Sequence, residues 1–185
     1  GQRQMCIRDR ALEDALAEYD RAIEKFPTFR RAWKNLGMLR TRNADYEGAV
    51  KALVRSIELG DTSPDTYGTA AYSHLRVGNL MAAELAYNAA VMLEPNNIEW
   101  IEGKAQAMIS GKRFREAIPL LEELLKRNPQ RAIYRVFLAN VYVETEQFLK
   151  AAQVFELTCR GRGVRVDLPW PGCTSEPAML KACPL

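Results

Sequence analysis

AELAYNAAVMLEP, residues 83–95, is the stretch that decides the fold. It places Ala83, Tyr87 and Ala90 at spacings of four and three, which is one face of an α-helix, and it ends in Pro95. The same alanine returns every 34 residues, at Ala15, Ala49, Ala83, Ala117 and Ala151. Twelve residues after each alanine comes a helix-breaking residue, in order Pro27, Asp61, Pro95, Pro129 and Gly163.

A second helical stripe lies upstream of each alanine. In the second period it reads Trp33, Leu36 and Gly37. Its small residue also recurs every 34 residues, at Gly37, Ala71, Ala105 and Ala139. Small side chains at fixed positions let two helix axes approach closely. Each period is therefore predicted to form helix A, a short turn, helix B and a breaker, with turns at residues 42–45, 78–79 and 110–112.

This pattern resembles the tetratricopeptide repeat, a 34-residue helix-turn-helix unit. The matching residues are Trp33, Leu36, Gly37, Ala49, Leu53, Ser56, Tyr67, Ala71, Ala83, Tyr87, Ala90, Pro95, Leu138, Ala139, Tyr142, Ala151 and Phe155. The resemblance implies an all-α fold, a right-handed superhelical stack of antiparallel helix pairs. Three residues depart from the family pattern: Arg40 replaces a preferred Tyr, Lys104 replaces a preferred Leu, and Pro119 should start its B helix late or bend it.

The periodicity also divides the chain. The repeat domain is predicted at residues 11–160, as a partial repeat at 11–29 and repeats at 30–63, 64–97, 98–131 and 132–160. Residues 1–10 are interpreted as a non-native, scar-like segment, because residues 5–10 resemble the translation of a sequencing-library adapter. Residues 161–185 have no helical period and are predicted to be an irregular tail.

Composition excludes several functional classes. Apolar residues make up 48% of the chain and charged residues 26%, which is typical of a globular protein, and the net charge of +3 is too weak to indicate nucleic acid. The longest stretch without a charged residue, 66–75, is too short to span a membrane. One histidine and four cysteines without a C-x-x-C pair argue against a metal site, and no cofactor is predicted.

Histidine, cysteine and paired glutamates can act in catalysis or metal binding in other proteins, but here they are interpreted as structural or solvent-exposed residues. His74 occupies a packing position of helix A, and Cys159 is interpreted as a small hydrophobe. Cys173 and Cys183 are expected to be free thiols in the tail. The glutamate pairs are expected to lie on solvated helix faces, at Glu99 with Glu102 and at Glu122 with Glu123. No catalytic residue is predicted, so the chain is not expected to be an enzyme.

The resemblance implies that the A helices line a concave groove that binds a partner polypeptide. Helical periodicity then selects the side chains that face it: Arg31, Lys34, Asn35, Met38, Arg42, Asp65, Thr69, Tyr72, Arg76, Glu99, Glu102, Gln106, Ile109, Ile133, Val136, Phe137 and Asn140. The groove should run from a basic end, through a tyrosine, to an acidic and then an apolar end. Exposed Ile133 and Phe137 would either bind a partner or be covered by a further repeat.

The predicted function is a protein-interaction module. Some family members grip the C-terminal carboxylate of chaperones with a Lys/Asn clamp, but only Asn35 matches a clamp position here, since Asp65, Glu99 and Gly103 occupy the others. Two alternatives stay open: the repeat region of a larger enzyme whose catalytic domain is missing from this chain, and an oligomeric scaffold that self-associates through uncapped repeat ends.

Overall fold

The structure, a computed structural model, describes the backbone of residues 2–160 and the side chains of residues 11–155. The helices of this part of the chain are joined by short turns and loops, and it contains no β-strand. Its helices are α1 (Gln2–Lys25), α2 (Arg30–Arg42), α3 (Tyr46–Glu58), α4 (Pro64–Val77), α5 (Leu80–Leu93), α6 (Ile98–Ser110), α7 (Phe114–Arg127), α8 (Ala132–Glu144) and α9 (Phe148–Arg160). The even-numbered helices are the predicted A helices.

The predicted turns are confirmed, and local capping explains where the helices begin and end. The carboxylate of Asp45 accepts a hydrogen bond from the Gly48 N–H at 3.0 Å at the start of α3, and the side chain of Asn79 does the same for Ala82 in α5. Gly78 ends α4 with a φ of 87°, a left-handed conformation that glycine adopts without strain. Asp45, Gly78 and Asn79 thus set two of the three turns that the sequence marked.

Consecutive helices pack against one another along the chain, and α4 also contacts both α2 and α6. These contacts place three of the four A helices, α2, α4 and α6, side by side. Among the periodic alanines, Ala49, Ala83 and Ala117 are fully buried and Ala151 is nearly so, while Ala15 is half-buried. The 34-residue repeat therefore marks the core, as predicted.

Glycine permits the closest helix contacts. A Cβ atom built on Gly37 would lie 2.4 Å from Cγ of Leu53, a fully buried residue. One built on Gly68 would lie 2.1 Å from the Trp100 ring. Because no real Cβ contact is this short, these positions exclude any larger residue unless the neighbouring side chain moves. Gly37 therefore permits in the second period the close helix contact that alanine permits in the others.

The departures from the family pattern have different outcomes. Arg40 joins three elements, since its guanidinium pairs with Asp20 of α1 at 2.9 Å and lies 3.7 Å from the carboxylate of Asp45 in the α2–α3 turn. The late start that Pro119 suggested for its helix is wrong, because α7 begins at Phe114 and continues through the proline. An exposed proline here leaves only the Arg115 carbonyl without its helical partner, and water can satisfy it.

Several sequence-based predictions fall outside the described residues. They are the irregular tail at 161–185, the free thiols of Cys173 and Cys183, and the side-chain environment of Cys159. The backbone of α1 is one continuous helix from Gln2 to Lys25, so it includes most of the segment interpreted as a scar. The origin of that segment, and the division of the chain into repeats, stay predictions.

Candidate functional site

The predicted groove residues all lie at the surface. Nine are exposed: Arg31, Arg42, Asp65, Tyr72, Arg76, Glu99, Gln106, Ile133 and Asn140. The others are half-buried: Lys34, Asn35, Met38, Thr69, Glu102, Ile109, Val136 and Phe137. The nine exposed side chains are open to solvent, whereas Met38, Ile109 and Phe137 pack against the hydrophobic core.

A cavity of about 550 Å³ lies at the basic end, between the first turns of α2 and the α3–α4 loop. We call it the basic pocket, and its lining residues are Arg30, Arg31, Lys34, Asn35, Asp61, Thr62 and Ser63. Three of these were predicted groove residues, Arg31, Lys34 and Asn35. The structure therefore brings together in one concavity what the sequence had only placed on one helix face.

The wall of the basic pocket is held by a network of hydroxyl groups around Asp61. This carboxylate is only 7% exposed and accepts hydrogen bonds from the hydroxyls of Ser56 (3.0 Å), Ser63 (2.6 Å) and Thr66 (2.9 Å), and from the Ser63 N–H. Burial by itself raises the pKa of Asp61, but these bonds outweigh it and lower the pKa to about 2. Asp61 therefore stays charged and fixes the loop.

This network makes acid stability depend on Asp61. A folded-state pKa of about 2, below the usual 3.8, means that its stabilisation is complete above pH 4 and lost as the pH falls towards 2. Since one pKa unit corresponds to about 1.4 kcal/mol, we expect a loss of about 2 kcal/mol over that range. The free energy of unfolding, measured with urea at several pH values, should fall more steeply below pH 4 in the wild-type chain than in Asp61→Asn. Parallel curves for the two proteins would contradict this assignment.

The middle of the face holds a cluster of two tyrosines and an arginine. The rings of Tyr46 and Tyr72 meet edge to face, with centroids 5.9 Å apart, and the Arg76 guanidinium lies 4.9 Å from the Tyr46 centroid. Tyr72 and Arg76 were predicted to face the groove. Tyr46, the first residue of α3, was not among the predicted groove residues.

The acidic end differs from the prediction. Glu102 is not a free carboxylate, since it accepts hydrogen bonds from the Arg131 guanidinium at 3.1 Å and from the Tyr134 hydroxyl at 3.0 Å. Arg131 also lies 5.0 Å from the centroid of the fully buried Tyr134 ring. The negative charge expected at this end therefore comes from exposed Glu99.

The apolar end is smaller than predicted. Ile133 is 41% exposed, whereas Phe137 is half-buried and packs against the main hydrophobic core of residues 101–151. The expectation of two exposed apolar side chains is therefore correct only for Ile133. Phe137 serves the interior of the protein, so it offers only part of its ring to a partner.

The remaining chemistry-bearing residues have structural surroundings. His74 is half-buried, and burial lowers its pKa, which agrees with its interpretation as a packing residue. In the described part of the chain, histidine, cysteine, aspartate and glutamate form no group of three or more able to hold a metal ion. Among the same residues, no helix combines the length and the apolar character needed to cross a membrane.

A family model described as tetratricopeptide repeat matches residues 8–64 and 103–162, which is more than half of the chain. The chain belongs to the tetratricopeptide repeat family. A tetratricopeptide repeat-containing protein of Caenorhabditis elegans, trd-1, is 28% identical over 125 residues, which is 68% of this chain. The chain spans only 16% of that relative's length.

Solved tetratricopeptide repeat structures share the fold. YrrB, described as having an unusual peptide-binding site, superposes with a TM-score of 0.78 at 18% identity, over 86% of this chain and 82% of its own. MamA from Desulfovibrio magneticus RS-1 superposes with a TM-score of 0.74 at 16% identity, over 85% of this chain and 89% of its own. At such identities the likeness establishes the superhelical repeat fold.

Two contacts add to the sequence argument against the carboxylate clamp of some tetratricopeptide repeat proteins. The Asn35 amide, the one matching side chain, donates a hydrogen bond to the Tyr19 hydroxyl at 3.2 Å. At the Gly103 position, a Cβ atom would lie 2.3 Å from the ring of Tyr87. That ring is 3% exposed, so it occupies the space that a clamp side chain would need.

Proposed function

We propose that the chain is a protein-interaction module that binds a partner polypeptide along the face formed by its A helices. The observation that carries this is the basic pocket, a concavity of about 550 Å³ lined by Arg31, Lys34 and Asn35. Ligand sites are usually such concavities with a few convergent polar groups. The family and the solved neighbours support an interaction or scaffold role, and the peptide-binding site named for YrrB supports a peptide as the partner.

The charges along the face give the partner a direction. The basic pocket should accept acidic groups, and Tyr72 should stack on or hydrogen-bond to the middle of the partner. Exposed Glu99 should repel acidic groups at the far end. Because exposed charge pairs contribute only about 0–1 kcal/mol each, the polarity should affect orientation and association rate more than affinity.

Charge reversal tests this proposal. Peptides that bind the wild-type chain would be selected from a displayed library, and their affinities measured by calorimetry for the double variant Arg31→Glu, Lys34→Glu. We expect about tenfold weaker binding, because two attractive charges become repulsive. The dependence of affinity on salt should also become flatter than in the wild-type chain.

The matched control reverses the charge of two basic side chains on the B helices, in the double variant Lys51→Glu, Arg115→Glu. Both residues are exposed, and neither forms an ion pair within the described side chains. This variant has the same change in net charge, so it should bind the selected peptides like the wild-type chain. Equal losses in both variants, or a loss only in the control, would contradict binding at the A-helix face.

A further inference from the structure

The basic pocket carries more positive charge than the protein itself neutralises. Arg30, Arg31 and Lys34 line it, yet no ion pair of the described side chains includes any of them. Other arginines of the stack do pair with carboxylates, among them Arg113 with Glu84. The three cations therefore share one cavity without a salt-bridge partner.

Asp61, the one acidic residue of the lining, does not supply that partner. Its two oxygens already accept hydrogen bonds from Ser56, Ser63 and Thr66, and the carboxylate is 7% exposed. Three cations and one carboxylate leave the lining with a net charge of +2. A bound anion would therefore meet an excess of positive charge and no free carboxylate oxygen.

Two of the three cationic side chains, Arg30 and Lys34, are also held in place before any ligand arrives. The Arg30 guanidinium donates to the Gly60 carbonyl at 2.9 Å, and the Lys34 ammonium donates to Oγ of Ser63 at 2.8 Å. Each bond uses one N–H group and leaves others available. The Arg31 side chain has no hydrogen bond with the described residues, so its whole guanidinium fork is available. Arg30 and Lys34 then need little ordering on binding, and Arg31 supplies the adjustable donor.

We infer, on the basis of the proposed function, that the basic pocket binds a phosphorylated serine or threonine side chain of the partner polypeptide. A phosphate group carries about −1.5 to −2 charges at pH 7 and three acceptor oxygens, which matches the excess charge and the two guanidinium groups. A carboxylate has one charge and two oxygens, and would leave part of the pocket unsatisfied. A phosphate group by itself fills only a fraction of about 550 Å³, so the pocket accommodates the attached peptide as well.

Oriented peptide libraries test this inference on the full chain. One library fixes a central phosphoserine or phosphothreonine between random positions, a second has serine or threonine there, and a third has glutamate. We expect the phosphorylated library to be retained at least about tenfold better than either of the others, and Arg31→Ala to remove most of that preference. Lys51→Glu, Arg115→Glu should keep it, and thermal melts should show that all variants are folded.

The outcomes separate this inference from the proposed function. Peptides that bind the A-helix face equally with and without phosphate would overturn the phosphate site and leave the proposed function standing. Loss of binding in every library would overturn both. Vesicles containing a phosphoinositide, and a random single-stranded RNA, serve as two further probes. Retention of either one in preference to the phosphopeptides would overturn the assignment to a phosphorylated polypeptide.

Discussion

Ala83→Arg is expected to lower the free energy of unfolding by about 4 kcal/mol. Ala83 is fully buried, in a cluster with Ala71, Tyr87 and Ala107 where α4, α5 and α6 meet. An arginine there overfills a close contact and leaves a guanidinium without a carboxylate partner. Because repeat proteins are stabilised by contacts between neighbouring units, damage at this central contact should weaken both halves of the stack.

Ala82→Arg is the matched control, one residue earlier on the same helix. Ala82 is half-buried, and its backbone N–H, which the substitution keeps, donates to the Asn79 cap. The longer side chain can extend into solvent, so we expect a change within about 1 kcal/mol. Chemical denaturation followed by circular dichroism measures both variants. Similar losses for the two would show that the assigned helical face is wrong.

The fold was predictable because its signal is repeated. One alanine at a helix contact is weak evidence, but five at intervals of 34 residues define the helix face, the turns and the stacking order together. The helices confirm this, with α4 and α5 separated at Gly78 and Asn79 as expected. Helix continuity was harder to predict at Pro119, because whether a proline interrupts a helix depends on whether neighbouring contacts hold the backbone.

The candidate site was less predictable, because partners from different repeats do not follow the period. Periodicity placed Glu102 on the groove face, but its pairing with Arg131 and the Tyr134 hydroxyl required three-dimensional proximity. The Asp61 network did leave a signal. A serine five residues before this aspartate, and a serine and a threonine two and five residues after it, are hydroxyl groups within reach of one loop carboxylate.

Gly103→Asn is expected to destabilise the protein by about 2–6 kcal/mol and to create no carboxylate clamp. The new Cβ atom would lie 2.3 Å from the buried Tyr87 ring, and such overpacking costs about 1–3 kcal/mol. The asparagine amide would also lose water at a crowded contact, at a further cost of about 1–3 kcal/mol if it finds no partner. Urea unfolding measures the loss. Calorimetry with a peptide ending in a free carboxylate should detect no gain in affinity over the same peptide with an amidated end.

Gly111→Asn is the control, because Gly111 follows the same helix as its C-terminal cap. Its φ is −80°, and a Cβ atom there would have ordinary contacts, the nearest at 3.4 Å from the Ala107 carbonyl oxygen. Asparagine suits such an end, so we expect a change below about 1 kcal/mol. The double variant Gly103→Asn, Tyr87→Leu lacks the ring. It should therefore lose less stability than the sum of the losses of the two single variants. A purely additive double variant would show that the Tyr87 ring is not what excludes a side chain at this position.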